Sequence, residues 1–191
     1  MPGRKLIDVS FTVRRARTSD VPAIQALVEP LVQRRILLGK DLVVLYEAVQ
    51  EFRIAVDEHG TPIGCGALHV MWEDLAEVRT LAVDAAWLGH GVGRAILEQL
   101  ERDALDLGVH RLFCLTFEVP FFERNGFLPT GEGVVDPQVF AELARSSDEG
   151  VAEFLDLSRV KPNTLGNTRM LKVLEPAPAT AAPSAETPPE V

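Results

Sequence analysis

The chain has 191 residues, 47% hydrophobic and 25% charged, with 19 Lys and Arg against 28 Asp and Glu and a formal charge of -9. This length suits one compact core, and the acidic balance argues against a general binder of nucleic acid or of anionic membranes. No apolar run is long enough to span a bilayer and Met-Pro-Gly-Arg-Lys lacks the apolar stretch of a secretory signal, so a soluble, cytoplasmic protein is expected.

After a short extension, residues 1–10, Phe11 to Ala16 reads as a first strand. Thr18-Ser-Asp-Val-Pro-Ala then supplies capping side chains and a proline in the first turn, predicting a helix to about Val28 that Pro30 interrupts. Leu31 to Leu38 is expected as a second short helix with Arg34 and Arg35 facing outward, ending at Gly39, and Leu42 to Gln50 as a third. Phe52 to Asp57, the turn at His59-Gly-Thr-Pro and Ile63 to Trp72 form a predicted hairpin, with Glu77 to Val83 as the next strand. From Val92, apolar residues at 96, 100, 104 and 107 recur at helical spacing as far as Gly108. Arg111 to Phe117 reads as a buried strand, and Pro120 to Phe127 as a short helix closed by Gly126. Asp136 to Ala144 and Val151 to Leu157 are expected helices, Arg169 to Leu174 a last strand, and residues 175–191 a disordered Pro/Ala-rich tail.

Cys65 and Cys114 lie in apolar strand-like segments, which predicts buried thiols rather than a disulfide or a metal site. His59, His69, His90 and His110 are dispersed, so no metal is implied.

The most informative stretch is Val78 to Glu101, where a strand pattern runs into Gly89-His-Gly91-Val-Gly93 and then into an amphipathic helix. Glycines there let an anion approach the backbone, and the amides of His90 to Arg94 would converge on it at the positive end of the helix. A dinucleotide fingerprint, G-x-G-x-x-G directly after the strand, does not fit, because Asp84 to Leu88 intervene and the third glycine comes one residue early. A lysine-type phosphate loop is excluded because no Gly-Lys-Ser/Thr occurs.

Leu88-Gly-His-Gly-Val-Gly93 resembles the acetyl-CoA loop of the GNAT acyltransferase superfamily, Arg/Gln-x-x-Gly-x-Gly/Ala, with Leu88 in place of the usual basic or amide residue. Phe121-Phe-Glu-Arg-Asn-Gly-Phe127 resembles the same superfamily's Phe-Tyr-x-x-x-Gly-Phe, whose aromatic residues flank the pantetheine arm. The resemblance implies a GNAT fold of the α/β (α+β) class over residues 11–174: a mixed sheet flanked by helices and splayed between its fourth and fifth strands. It implies acetyl-CoA contacts from Leu81, Ala82, Val83, Gly89, His90, Gly91, Val92, Gly93, Arg94, Phe121 and Phe122.

With the flanks Pro30 to Asp41, Cys65-Gly-Ala-Leu and Asn167-Thr-Arg-Met-Leu-Lys-Val-Leu included, the chain is similar to the acetyltransferase domain of N-acetylglutamate synthase. That family acetylates L-glutamate at the head of arginine biosynthesis, often with an amino-acid-kinase-like domain ahead of this one, and the chain reads as a stand-alone short form. The resemblance implies that Arg169 and Lys40 meet the carboxylates of the amino acid, that the backbones of Leu38 and Thr80 contact it, and that Glu77 is the general base. Thr116 is the candidate proton donor to the leaving sulfur, since Phe122 stands where the superfamily often has tyrosine. Leu171 replaces a family serine, which leaves L-glutamine open as the acceptor beside L-glutamate. Alternatives are a GNAT enzyme for another amine or a protein N-terminus, and a non-catalytic acyl-CoA sensor. A homodimer is expected.

Overall fold

The computed structural model describes residues 10–131, 135–160 and 166–175, so the N-terminal extension and nearly all of the expected tail lie outside the described residues. The strands are β1 (Phe11–Arg15), β2 (Phe52–Asp57), β3 (Pro62–Trp72), β4 (Leu75–Val83), β5 (Arg111–Thr116), β6 (Leu128–Pro129) and β7 (Thr168–Val173). The helices are α1 (Val21–Gln33), α2 (Leu42–Glu47), α3 (Val92–Asp106), α4 (Val119–Arg124), α5 (Pro137–Leu143) and α6 (Glu149–Phe154).

The strands form one sheet in the order β1-β2-β3-β4-β5-β7-β6. All neighbours are antiparallel except β4 and β5, whose parallel pairing is confined to Ala76↔Leu112 and Glu77↔Phe113. Beyond that point β4 continues to Val83 and β5 to Thr116 without pairing to each other. The mixed, splayed sheet expected of the GNAT fold is therefore present.

Apolar faces decide the layers. Ile96, Leu97, Leu100 and Ala104 of α3 are fully buried against one face of the sheet, while Val21, Ile24 and Val28 of α1 are buried against the other. A third cluster joins Phe113 to Leu143, Val151 and Phe154, and so seats α5 and α6 beside β5. Cys65 and Cys114 are buried free thiols, as expected. Among the described residues no helix is long and apolar enough to cross a membrane.

Two expectations need correction. Pro30 does not interrupt the first helix: α1 runs to Gln33, because the proline ring sits on the exposed side while Leu27, Leu31 and Val32 pack against the core. The missing proline N–H removes one hydrogen bond, and that burial outweighs it. Leu31 to Leu38 is consequently not a second helix; Arg35 adopts a left-handed φ of 58°, and the N–H groups of Ile36 and Leu37 turn back to the Leu31 carbonyl. Residues 128 and 129, outside every element expected from the sequence, form the edge strand β6 on β7 through Leu128↔Leu171 and Pro129↔Met170.

Two glycines of β3 set how closely α3 approaches. A Cβ on Gly64 would lie 3.0 Å from Val92, and one on Gly66 only 2.8 Å from Ile96 Cγ2. Ile96 is branched at Cβ and cannot swing aside at no cost. Gly66→Val is expected to destabilise the fold by about 1–3 kcal/mol, the usual range for overpacking a core, and urea denaturation followed by circular dichroism checks it.

Candidate active site

The parting of β4 from β5 opens a cleft with a volume of about 1950 Å³, lined from the end of α1 through β4 and the glycine loop to α4 and α6. At one end stands the N-terminus of α3. Gly91 precedes this helix at a φ of 83°, and no side chain caps it. Ala95 N–H already bonds the Gly91 carbonyl at 3.0 Å, which leaves the amides of Val92, Gly93 and Arg94 as the unsatisfied donors of the first turn. Cβ positions on Gly89 and Gly91 would meet nothing within 4 Å, so both glycines face open space. The Phe121 ring lies 3.5 Å from the corresponding point on Gly93. An anionic ligand with an extended apolar arm fits this arrangement: N–H donors and a helix dipole for phosphate, and an aromatic wall for the arm.

The β4 edge adds directed donors. Asp84 N–H bonds the Ile63 carbonyl at 2.9 Å, so by strand alternation the N–H of Ala82 also faces β3. Those of Leu81 and Val83 then face the gap. A register shift between Cys65 and Ala67 and a φ of 57° at Thr80 mark a bulge just before these residues. Positive φ is rare for a β-branched residue, and bulges of this kind re-aim a strand beside a site.

At the other end of the cleft Glu77, Arg79, Lys40, Glu149 and Glu153 come together. Arg79 is the hub: Nη1 donates to both oxygens of Asp148 at 3.1 and 3.0 Å, Nη2 donates to Glu51 at 3.2 Å, and Nη1 lies 3.7 Å from Glu77 Oε2. Asp148 also caps α6 by accepting from Val151 N–H at 3.0 Å. His69 Nδ1 sits 2.9 Å from Glu51 and its Nε2 3.9 Å from Asp148. Burial is the largest influence on Asp148 and works against its charged form, yet Arg79, the Val151 N–H and His69 together outweigh it and hold that carboxyl below its usual range. Glu77 goes the other way. It is only 5% exposed, and burial raises its pKa despite the neighbouring Arg79. Glu153, 7% exposed, is pushed up to about 7 by burial and then by the charge of Glu77.

Most residues singled out in the sequence meet in this cleft: Leu38, Lys40, Glu77, Thr80 to Val83, Gly89, Gly91 to Arg94, Thr116, Phe121 and Phe122 all line it. Thr116 Oγ1 accepts from Glu118 N–H at 2.9 Å, which leaves its hydroxyl proton free to be donated. Two residues are placed differently. His90 is not in the lining; its N–H is spent on the Trp87 carbonyl at 3.4 Å and its ring packs edge-on against Trp87. Arg169 also stands outside the lining and donates to the backbone carbonyls of Phe154, at 3.1 Å, and of Glu153, with Asp156 3.5 Å away.

Sequence reasoning missed Arg79, Asp148 and Glu153. Arg79 was within reach, since residues two apart on a strand share a face and Glu77 was already a candidate. Glu153 had a fainter signal, an acidic residue inside the apolar run Val151-Ala-Glu-Phe-Leu155. Among the described residues no group of three or more His, Cys, Asp and Glu could hold a metal ion.

The chain matches the profile of the Acetyltransferase (GNAT) family over residues 27–127. It is 59% identical over 169 residues to an amino-acid acetyltransferase of Mycobacterium tuberculosis, an alignment covering 87% of this chain and 97% of that protein. The crystal structure of Rv2747 from Mycobacterium tuberculosis in complex with CoA and NLQ superposes with a TM-score of 0.83 at 58% identity, covering 86% of this chain and 99% of that one. N-acetylglutamate synthase from Neisseria gonorrhoeae, complexed with coenzyme A and N-acetyl-glutamate, gives a TM-score of 0.69 at 24% identity over 88% of this chain and 36% of that one, a likeness of fold. On this sequence match, with the split sheet and the uncapped glycine-loop helix that go with it, the chain belongs to the GNAT acetyltransferase family.

Proposed function

We propose that the chain is an amino-acid N-acetyltransferase that moves the acetyl group of acetyl-CoA to the α-amino group of L-glutamate or L-glutamine, a cytoplasmic reaction at the entry to arginine biosynthesis. One observation carries this reading: a single cleft joins an uncapped helix N-terminus at one end to a buried carboxylate and a lysine at the other. The high identity to an amino-acid acetyltransferase supports the same class of acceptor.

Acetyl-CoA supplies the activated acetyl group as a thioester. The amides of Val92, Gly93 and Arg94 hold its phosphates, and Phe121 flanks its pantetheine arm. Leu81 and Val83 offer N–H donors at the gap, positioned to polarise the thioester carbonyl. Glu77 takes the proton from the incoming ammonium, directly or through one water; a carboxyl that burial has made more basic removes a proton from nitrogen more readily. Thr116 donates toward the departing sulfur. Lys40 meets a carboxylate of the amino acid as a point charge.

Arg169 enters the proposal through α6. To grip a carboxylate itself, its guanidinium would have to leave the carbonyls of Glu153 and Phe154; in the geometry observed it fixes the end of the helix that closes the acceptor side.

Purified protein is expected to release free CoA thiol from acetyl-CoA with L-glutamate or L-glutamine and not with polyamines; silence with both amino acids would overturn the assignment. Glu77→Gln is expected to lower kcat by about 10²–10⁴-fold, the typical contribution of a positioned base, while calorimetry shows CoA affinity unchanged. Lys40→Ala is expected to raise the amino-acid KM with little change in that for acetyl-CoA. The homodimer belongs to the same proposal, and light scattering that returned the 20.9 kDa of one chain would remove it.

A further inference from the structure

The glycine loop and Phe121 leave the segment from Asp136 to Phe154 unaccounted for, and through α6 it delivers Glu149 and Glu153 to the far end of the cleft. This helix is pinned at both ends. Asp148 at its start caps Val151 and is locked to Arg79 of β4, and the Glu153 and Phe154 carbonyls at its end are taken by Arg169 of β7. Gly150 and Glu153 stand three residues apart and so share a helix face. That face lies on Glu77, because a Cβ added to Gly150 would collide with Glu77 Oε2.

The oxygens between them are unusual. Among the described residues, Glu77 Oε2 and Glu153 Oε1 are the buried side-chain polar atoms that have no hydrogen-bond partner. Native proteins satisfy nearly all such groups, and an unmet carboxylate oxygen beside a second carboxylate calls for a cationic donor. An alkylammonium group offers three N–H donors and a positive charge.

We propose that Glu153 is a second catalytic carboxylate of the acceptor site, which with Glu77 receives the ammonium of the amino-acid substrate and takes one of its protons. The proposal rests on amino-acid acetyl transfer as the reaction and deepens it. Acetylating an ammonium removes two protons from nitrogen as the N–C bond forms and the C–S bond breaks. One proton ends on sulfur, restoring the CoA thiol, and the other passes to solvent. Two carboxylates allow one to accept before attack and the other after it. Glu77 takes the first proton and Glu153 suits the second transfer, since a base titrating near 7 is ionised and still basic at neutral pH.

The charges around the pair are mixed. Glu77, Glu149 and Asp148 disfavour ionisation of Glu153, and Lys40 favours it. Around Glu77, Arg79, His69 and Lys40 favour the carboxylate and Asp148 opposes it. Burial acts first on both.

Glu153→Gln keeps the shape of the side chain and removes the base. The expected result is a fall in kcat of at least about 10-fold, loss of the ascending limb near pH 7 in kcat/KM for the amino acid, CoA affinity unchanged, and partial recovery in Glu153→Asp. Because a carboxyl whose folded pKa exceeds its unfolded value costs stability as pH rises between the two, Glu153→Gln should melt no lower than the wild type at pH 8. Carboxyl titration by ¹³C NMR in the free protein reads the pair without turnover: Glu77→Gln should move the Glu153 midpoint down. Wild-type kcat and an unchanged pH profile in Glu153→Gln would overturn the proposal, as would a Glu153 midpoint indifferent to Glu77→Gln. A wild type inactive toward every amino acid would instead overturn the acceptor reading itself, and the Glu153 role in proton transfer with it.

Discussion

Everything in this protein turns on the point where β4 and β5 stop pairing. Two parallel pairs, Ala76↔Leu112 and Glu77↔Phe113, tie the halves of the sheet together, and past them β4 stays paired only with β3 and β5 only with β7. Abandoning a ladder inside a sheet leaves backbone donors and acceptors without partners, which a fold tolerates only where water or a ligand replaces them. Here the gap exposes the N–H groups of Leu81 and Val83 to a cleft, and the bulge at Thr80 sets the direction in which they point. The α3 N-terminus, Phe121 of α4 and the acidic face of α6 all line that opening.

The electrostatics of the cleft run against stability. Glu77 and Glu153 are both buried at this end of the cleft, burial raising the proton affinity of each and the charge of Glu77 adding to that of Glu153, with Arg79 already engaged by Glu51 and Asp148. A well-packed apolar pair in their place would bury no ionisable group and strand no oxygen. Buried carboxylates with raised pKa values and unsatisfied atoms are what a site needs if it must strip protons from an ammonium, and such sites are commonly held at a cost to folding. Arg79 keeps that cost bounded by neutralising Asp148 and Glu51 while leaving one oxygen of Glu77 unmet.

The helix α6 shows how binding and folding are joined. Its six residues are too few to be helical by propensity alone, and three anchors define it: the Asp148 cap, the Arg79 ion pair and the Arg169 bonds to its last carbonyls. Arg169, whose resemblance-based role is direct contact with the amino acid, thereby occupies a structural post one shell behind the cleft. Both roles concern the same end of the site, and only the position of the guanidinium separates them.

The strand and helix order, the glycine loop and the Phe121 to Phe127 motif were legible in the chain because periodicity and backbone-permissive residues are local properties. Glu77, Lys40 and Thr116 were legible as chemistry-bearing types at motif positions, and all three line the cleft. Local pattern misjudged Pro30, where burial of α1 overrides a helix breaker, and missed β6, whose two residues are a strand only because β7 lies beside them. It could not reveal that Arg79 of β4 would meet Asp148, sixty-nine positions later, or that Glu153 would face Glu77. Those encounters are long-range, and a side chain's burial, partners and proton affinity follow from what the fold brings to it. The sequence by itself determined the class of fold and the donor-binding loop; tertiary packing decided which acids and bases share the acceptor end, because only there do desolvation and neighbouring charge exist.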